Sequence, residues 1–204
     1  AELGADLILV DRHDSNFKQL EYELHDKWQV TTQSIECDLE SEEERLKLID
    51  KVKSYGQDLN ILINNAAFVD TSDLNGWLTP FETQTLGTWR RALEVNLTAA
   101  FHLSQAFTPE LRVSDGGNII NISSIYAEFG PDWRMYEGTG MGNPAAYGVS
   151  KGGLVQLTHW LATTIAPDIR VNAISPGGVF RKQPDAFVQR YAEKAPLGRM
   201  ATED

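Results

Sequence analysis

The sequence predicts an α/β fold in which parallel β-α-β units build an open sheet. Three observations predict it. Short apolar runs that end in polar residues, such as "ADLILVDR" (5–12), have the pattern of strands buried on both faces. Segments with helical spacing lie between them. The two kinds of segment alternate along the chain, the order that parallel units require.

Element by element, the strand at 5–12 is followed by a helix over "FKQLEYELHDKW" (17–28) and a strand over "VTTQSIECDL" (30–39). The segment 41–56 reads as a helix in which Ser41 and Glu44 form a capping box and Gly56 closes the end. "LNILINNAA" (59–67) is a strand running into a polar turn. The stretch 86–111 has one long helical pattern, weakened near Pro109. A strand over "GGNIINISS" (116–124), a helix over 145–166 and a strand over "IRVNAISPGG" (169–178) complete the series. Ligands of such sheets bind at the carboxyl ends of the strands. Those ends read Asp11, Asp38, Asn64-Asn65-Ala66-Ala67, Ser123-Ser124 and Pro176-Gly177-Gly178, a mostly polar set.

The length of 204 residues suits one domain, 1–204, without internal repeat or linker. A hydrophobic content of 42% and a charged content of 23% are ordinary for a globular protein. The formal net charge of -11 argues against a nucleic acid partner, whose phosphates need a basic surface. The lone cysteine, Cys37, excludes an internal disulfide, and with no signal-like start it fits a reducing cytoplasm. No apolar run approaches the ~20 residues of a membrane span. The triplets Asn96-Leu97-Thr98 and Asn121-Ile122-Ser123 lie in apolar surroundings and read as chance glycosylation matches. "AELGAD" opens like the end of a helix and "MATED" closes where another would begin, so both ends have the look of cuts.

"YGVSK" (147–151) admits two chemistries. Gly148-Val149-Ser150-Lys151-Gly152 matches the G-x-S-x-G elbow of serine hydrolases. That elbow needs a preceding strand, and "GMGNPAA" is turn-like. It also needs an acid and then a histidine downstream, whereas the last histidine, His159, sits on the same helix. The second chemistry pairs Tyr147 with Lys151, four residues apart on one helix face. A free phenol has a pKa of about 10. A neighbouring ammonium lowers it and so yields an acid–base group. Alone, Y-x-x-x-K is equally the pattern of an amphipathic surface.

"NNAA", "NIINISS", "YGVSK" and "RVNAISPGG", in this order and each at a strand end or helix start, resemble the short-chain dehydrogenase/reductase family over almost the whole chain. Ala67 stands where the family usually has glycine. The resemblance implies a Rossmann-type, doubly wound parallel sheet and an oxidoreductase that moves hydride between a nicotinamide cofactor and an alcohol or ketone. It implies that Tyr147 is the catalytic acid/base, that Lys151 lowers its pKa and bonds the nicotinamide ribose, and that Ser124 bonds the substrate oxygen. Asn96, in "EVNLTAAF", matches the asparagine that holds a water of the proton relay. Ser123 is the neighbouring candidate; Ser124 is preferred because it directly precedes "IYAEFG". Tyr136 lies closer to Ser124 than Tyr147 does, but the residue four beyond it is Gly140, which supplies no charge. "PDWRMYEGTGMGNP" (131–144) therefore reads as an insertion, its glycines marking a mobile loop beside the site.

On the cofactor side, Asp11 fits the acid that bonds the adenosine ribose, which favours NAD, while Arg12 beside it leaves NADP open. Asp38 fits an adenine contact, and Asn64 and Ala66 the cofactor-side turn. Pro176 and Gly177 are implied to line the nicotinamide, with Val179 offering backbone to its amide. The Gly-rich phosphate loop is absent and would belong upstream of Ala1. The family's first strand would lie between those at 5–12 and 59–67, so the chain reads as a fragment with a slot in its sheet, expected neither to fold stably nor to turn over alone. Trp133, Arg134, Tyr136 and Glu137, with Arg181 and Lys182 later, suggest a grip on a polyhydroxylated or anionic small molecule. The wording of the insertion is similar to family members found with bacterial surface-sugar and flagellin-glycan pathways. The family also implies a homo-oligomer, a dimer or tetramer, built through helices 86–111 and 145–166 with Trp89, Phe101, Leu103, Leu157, Trp160 and Leu161. A sugar-nucleotide epimerase or dehydratase of related fold, or a non-catalytic nucleotide-binding protein, are the alternatives.

Overall fold

The structure, a computed structural model, describes residues 1–13, 15–56, 58–69 and 74–203. The chain forms two compact units, Ala1–Gln57 and Asp58–Asp204.

In the first unit, strand β1 (Leu7–Asp11) pairs in parallel with β2 (Thr32–Glu36), Asp11 lying opposite Glu36. Helix α1 (Phe17–Trp28) connects them and ends at Gln29 in the left-handed region, φ 55. Helix α2 (Glu42–Ser54) starts at Ser41, whose side chain accepts the Glu44 N–H. The capping box forms only by half, because the Glu44 carboxylate reaches back to the Asp38 N–H at 2.6 Å. Gly56 takes φ +61 at the other end, as expected of a terminating glycine. Arg45 and Leu48 seat the helix, the arginine donating to the Leu39 carbonyl. Cys37 is buried, and burial, reinforced by Glu44 and Asp38, pushes its thiol up to about 11.

In the second unit, β3 (Ile61–Asn64), β4 (Asn118–Ile122) and β5 (Arg170–Ile174) form a parallel sheet in that order. The expected helix over 86–111 is three pieces: α3 (Leu86–Leu93), a π turn over Glu94–Thr98, and α4 (Ala99–Val113). Pro109 sits inside α4 without ending it. The flanking Phe107 and Leu111, 4% and 0% exposed, hold the helix through the residue that removes a backbone donor. Helix α5 (Ala145–Thr164) follows the expected span. Helix α6 (Asp185–Lys194) has no counterpart in the sequence reading. The insertion is not a loose loop: Trp133–Met135 makes a short helical turn, and Met135 and Tyr136 pack with Phe187 of α6 and Met200 in one buried cluster.

Candidate active site

The site of the second unit is assembled from the ends of β4 and β5, the start of α5 and the π turn. After β4 the chain turns at Ser124, whose hydroxyl accepts the Tyr126 N–H at 3.2 Å and caps the short turn Ile125–Ala127. The loop after β5 is tied to it: the Ser123 N–H donates to Ile174 O at 2.7 Å and the Ile125 N–H to Pro176 O at 3.1 Å. This turn lies close on α5, since a Cβ on Gly148 would stand 3.2 Å from the Tyr126 carbonyl and one on Gly152 3.3 Å from that of Ala127.

The close approach brings the Ser124 hydroxyl near enough to the Tyr147 phenol to act on its titration. Ser123 takes no part, because its hydroxyl donates to the Lys151 carbonyl at 3.0 Å. Lys151, 2% exposed, places Nζ 6.0 Å from the Tyr147 ring centre. Its ammonium donates to Ile122 O at 2.7 Å. Burial lowers the Lys151 pKa to about 8. The expected depression of Tyr147 is reversed here. Burial holds the phenol above its ordinary value, the Ser124 hydrogen bond opposes it, and Tyr126 adds to the rise. The physical reason is that the lysine charge is itself destabilised by burial and turned to a backbone carbonyl.

Asn96 lies in the π turn, 2% exposed. Its side chain accepts the Phe68 N–H at 2.5 Å and donates to the Ser150 hydroxyl at 2.9 Å. Ser150 in turn donates to the Tyr147 carbonyl at 2.8 Å. Asn96 therefore braces the helix that carries Tyr147 through its own amide. Ser150 is fully buried and committed on both sides, so a hydrolase nucleophile is ruled out there.

Asn64 also turns inward, donating to Asn121 Oδ1 at 2.8 Å and Ser104 at 3.3 Å. Its side chain ties the sheet together, while the neighbouring Ala66 is exposed in the turn. Pro176, Gly177 and Val179 occupy the loop after β5, and Tyr191 of α6 covers it. The Gly178 N–H donates to the Tyr191 hydroxyl at 2.7 Å, and a Cβ on Gly177 would come within 2.5 Å of that oxygen, so only glycine fits. The Val179 carbonyl accepts from Gln183 at 2.8 Å. Asp11 and Asp38 belong to the first unit. Asp11 accepts the Arg12 N–H at 2.8 Å and Asp38 that of Glu40 at 2.9 Å, and the Cys37 N–H donates to the Asp11 carbonyl between them.

Several site residues escaped the sequence. Trp77, 2% exposed, packs with Ala92 and Ala146 beneath Tyr147, and Phe68 and Trp89 close the cluster. The Tyr126 phenol bonds that of Tyr136 at 2.5 Å and also bonds Asn143. Their only signal was an aromatic-rich loop flanked by glycines.

A half-buried tyrosine, a serine beside it and a buried lysine one turn on form an acid–base centre for an alcohol or ketone oxygen. Residues 1–204 match the family profile described as enoyl-(acyl carrier protein) reductase. The 3-oxoacyl-(acyl-carrier-protein) reductase FabG of Aquifex aeolicus is 28% identical over 99% of this chain and 77% of its own. The post-translational flagellin modification protein A of Campylobacter coli is 28% identical over 97% and 77%. Among solved structures, an NAD+-bound xylitol dehydrogenase superposes with a TM-score of 0.80 at 28% identity, covering 98% of this chain and 79% of that one. The chain belongs to the short-chain dehydrogenase/reductase family. Its fold is the Rossmann-type α/β fold of that family, and its activity is nicotinamide-dependent oxidoreduction between alcohol and ketone.

Proposed function

We propose that Tyr147 exchanges the proton of the substrate oxygen, with Ser124 bonded to that same oxygen and Lys151 holding the cofactor ribose. The observation that carries this is the Ser124 hydroxyl placed beside the Tyr147 phenol with a buried lysine one helical turn away. The donor set suits the cofactor: an ammonium has three N–H donors, and one of them already bonds Ile122 O. A bound nicotinamide supplies the hydride acceptor or donor. Ser124 orients the oxygen towards Tyr147, and Asn96 fixes the helix that presents the phenol. Burial holds the Tyr147 phenol above its ordinary value, which favours its proton-donating form in ketone reduction, while alcohol oxidation draws on the deprotonated form.

Asp11 ends β1 with an exposed carboxylate, which supports NAD over NADP by repulsion of a 2′-phosphate. A sugar-like alcohol is the proposed substrate, in line with the xylitol dehydrogenase as a structural relative. Among the described residues no helix is long and apolar enough to cross a membrane. The single buried cysteine supports a cytoplasmic setting, and the exposed Phe101 and Trp160 support a homo-oligomer.

The test is spectrophotometric. The full-length protein is incubated with NAD or NADP and a panel of sugars, polyols and ketones, and reduced nicotinamide is followed at several pH values. Wild type is expected to prefer NAD, and Asp11→Ala to shift preference towards NADP. Tyr147→Phe is expected to remove turnover while binding cofactor normally, since only the proton path is lost. Near-normal turnover in Tyr147→Phe rejects the assignment.

A further inference from the structure

We propose that the substrate face beside Tyr147 selects an uncharged, hydroxyl-bearing molecule, a polyol or a sugar ring, over its carboxylate or phosphate counterpart. This rests on the reading of Tyr147 as the acid–base group. Apart from the Lys151 ammonium, which is turned to the Ile122 carbonyl, the polar groups gathered around that phenol are neutral. The Ser124 hydroxyl and Tyr126 both lie close enough to act on it. The Tyr126 phenol is bonded in turn to Tyr136 at 2.5 Å and to Asn143. Tyr191 packs against the same cluster from α6. Hydroxyls and an amide both donate and accept, so such a surface matches ligand hydroxyls whichever way they point. With Lys151 committed to the Ile122 carbonyl and the cofactor ribose, an anion presented to the tyrosine cluster would meet donors that carry no charge.

Of the cations that the sequence offered as anion grips, Arg134 and Arg181 are paired, and Lys194 and Arg190 of α6 are bonded as well. Arg134 forms a two-bond fork to Asp132, both bonds 2.8 Å, and its side chain is 76% exposed. Lys194 bonds the same carboxylate. Arg190 donates to the carbonyls of Met135 and Glu137. Arg181 pairs with Glu203 at 2.6 Å and is 72% exposed. The contacts of Lys194 and Arg190 pin the insertion to α6, and each of these cations is already bonded to a carboxylate or a backbone carbonyl. Lys182 is exposed on the loop before α6. A net charge of -11 adds repulsion over the whole surface.

The reading is tested by calorimetric titration of the protein, with and without NAD, using five- and six-carbon polyols and aldoses and their matching aldonates and terminal phosphates. At least one neutral compound is expected to bind about tenfold or more tightly than its anionic counterparts. Tyr136→Phe should weaken the neutral ligand several-fold and leave NAD binding unchanged. Arg134→Gln and Arg181→Gln should alter neither. Equal or tighter binding of the anions, or no binding of any neutral compound at tens of millimolar, overturns the inference. Tight binding of a neutral compound without turnover in the presence of either cofactor leaves the inference standing and removes the oxidoreductase reading of the site instead.

Discussion

Ser123 points its hydroxyl into α5 to the Lys151 carbonyl, whereas Ser124 turns its own to Tyr147. Sequence alone placed both at a strand end and chose between them by the words that follow. The structure separates them because successive residues of an extended chain face opposite sides. Ser124→Ala is expected to lower kcat on the order of 100-fold or more, the usual loss for a donor to the reacting oxygen. Ser123→Ala should keep turnover and lose about 1 kcal/mol of stability, a typical neutral hydrogen bond. Equal kinetic effects at the two positions would reverse the assignment. Lys151 offers a pH test. Its fall from 10.5 to about 8 on folding corresponds to about 3 kcal/mol. A folded value below the unfolded one means that the folded state sheds the proton first. Stability is therefore reduced in full below about pH 8 and recovers as pH rises towards 10.5. Lys151→Met should match or exceed wild-type stability in urea at pH 7, lose that advantage by pH 10, and be inactive throughout. A variant clearly less stable than wild type at pH 7 refutes the account. That Tyr147 is raised and not lowered could not be read from a four-residue spacing, because burial is set by Phe68, Trp77 and Trp89 from other segments.

At the scale of elements, the strands were legible because β3, β4 and β5 are short apolar runs closed by Asn, Ser or Pro. The register within 86–111 was not. A π turn inserts one residue without altering composition, and its effect is to carry Asn96 to the core under Tyr147. Helix α6 was missed although Pro184 precedes it, Asp185 opens it, and Phe187 and Tyr191 stand four apart on one face. Ten residues give too few periods to stand out from a loop. The junction between α4 and β4 carries a sharper signal. A Cβ on Gly117 would meet the Leu111 carbonyl oxygen at 2.2 Å, while Gly116 beside it has φ +80 and open space. Backbone cannot yield as a flexible side chain does. Gly117→Ala is thus expected to destabilise by more than about 2 kcal/mol. Gly116→Ala should lose only about 1 kcal/mol for the left-handed conformation. A chemical denaturation series on the two variants checks the order, and the reverse order would show that the helix end shifts freely.

The alternation of strands and helices along the whole molecule made the fold class legible, and strand ends made most of the site legible, since parallel sheets gather functional residues there. Contacts between loops distant in sequence were not, and Trp77, Tyr126 and Tyr191 were overlooked for that reason. Assembly is judged at the same scale. Of the apolar residues assigned to a subunit contact, Leu103 and Leu161 are 7% and 5% exposed and serve this chain's own core. Phe101 and Trp160 remain 43% and 55% exposed on α4 and α5. A stable interface needs about 800 Å² from each partner. Two half-exposed aromatic rings supply roughly a quarter of that and act as anchors within a larger contact. Light scattering of the full-length protein at micromolar concentration should therefore report a dimer or tetramer. Phe101→Lys combined with Trp160→Lys should shift it to the monomer, because two charges placed in an apolar contact lack partners there. The melt of the monomeric variant should stay cooperative, since neither ring is buried in the chain's own core. A monomeric wild type, or a variant that assembles unchanged, shows that these helices face solvent and that the two rings have no partner.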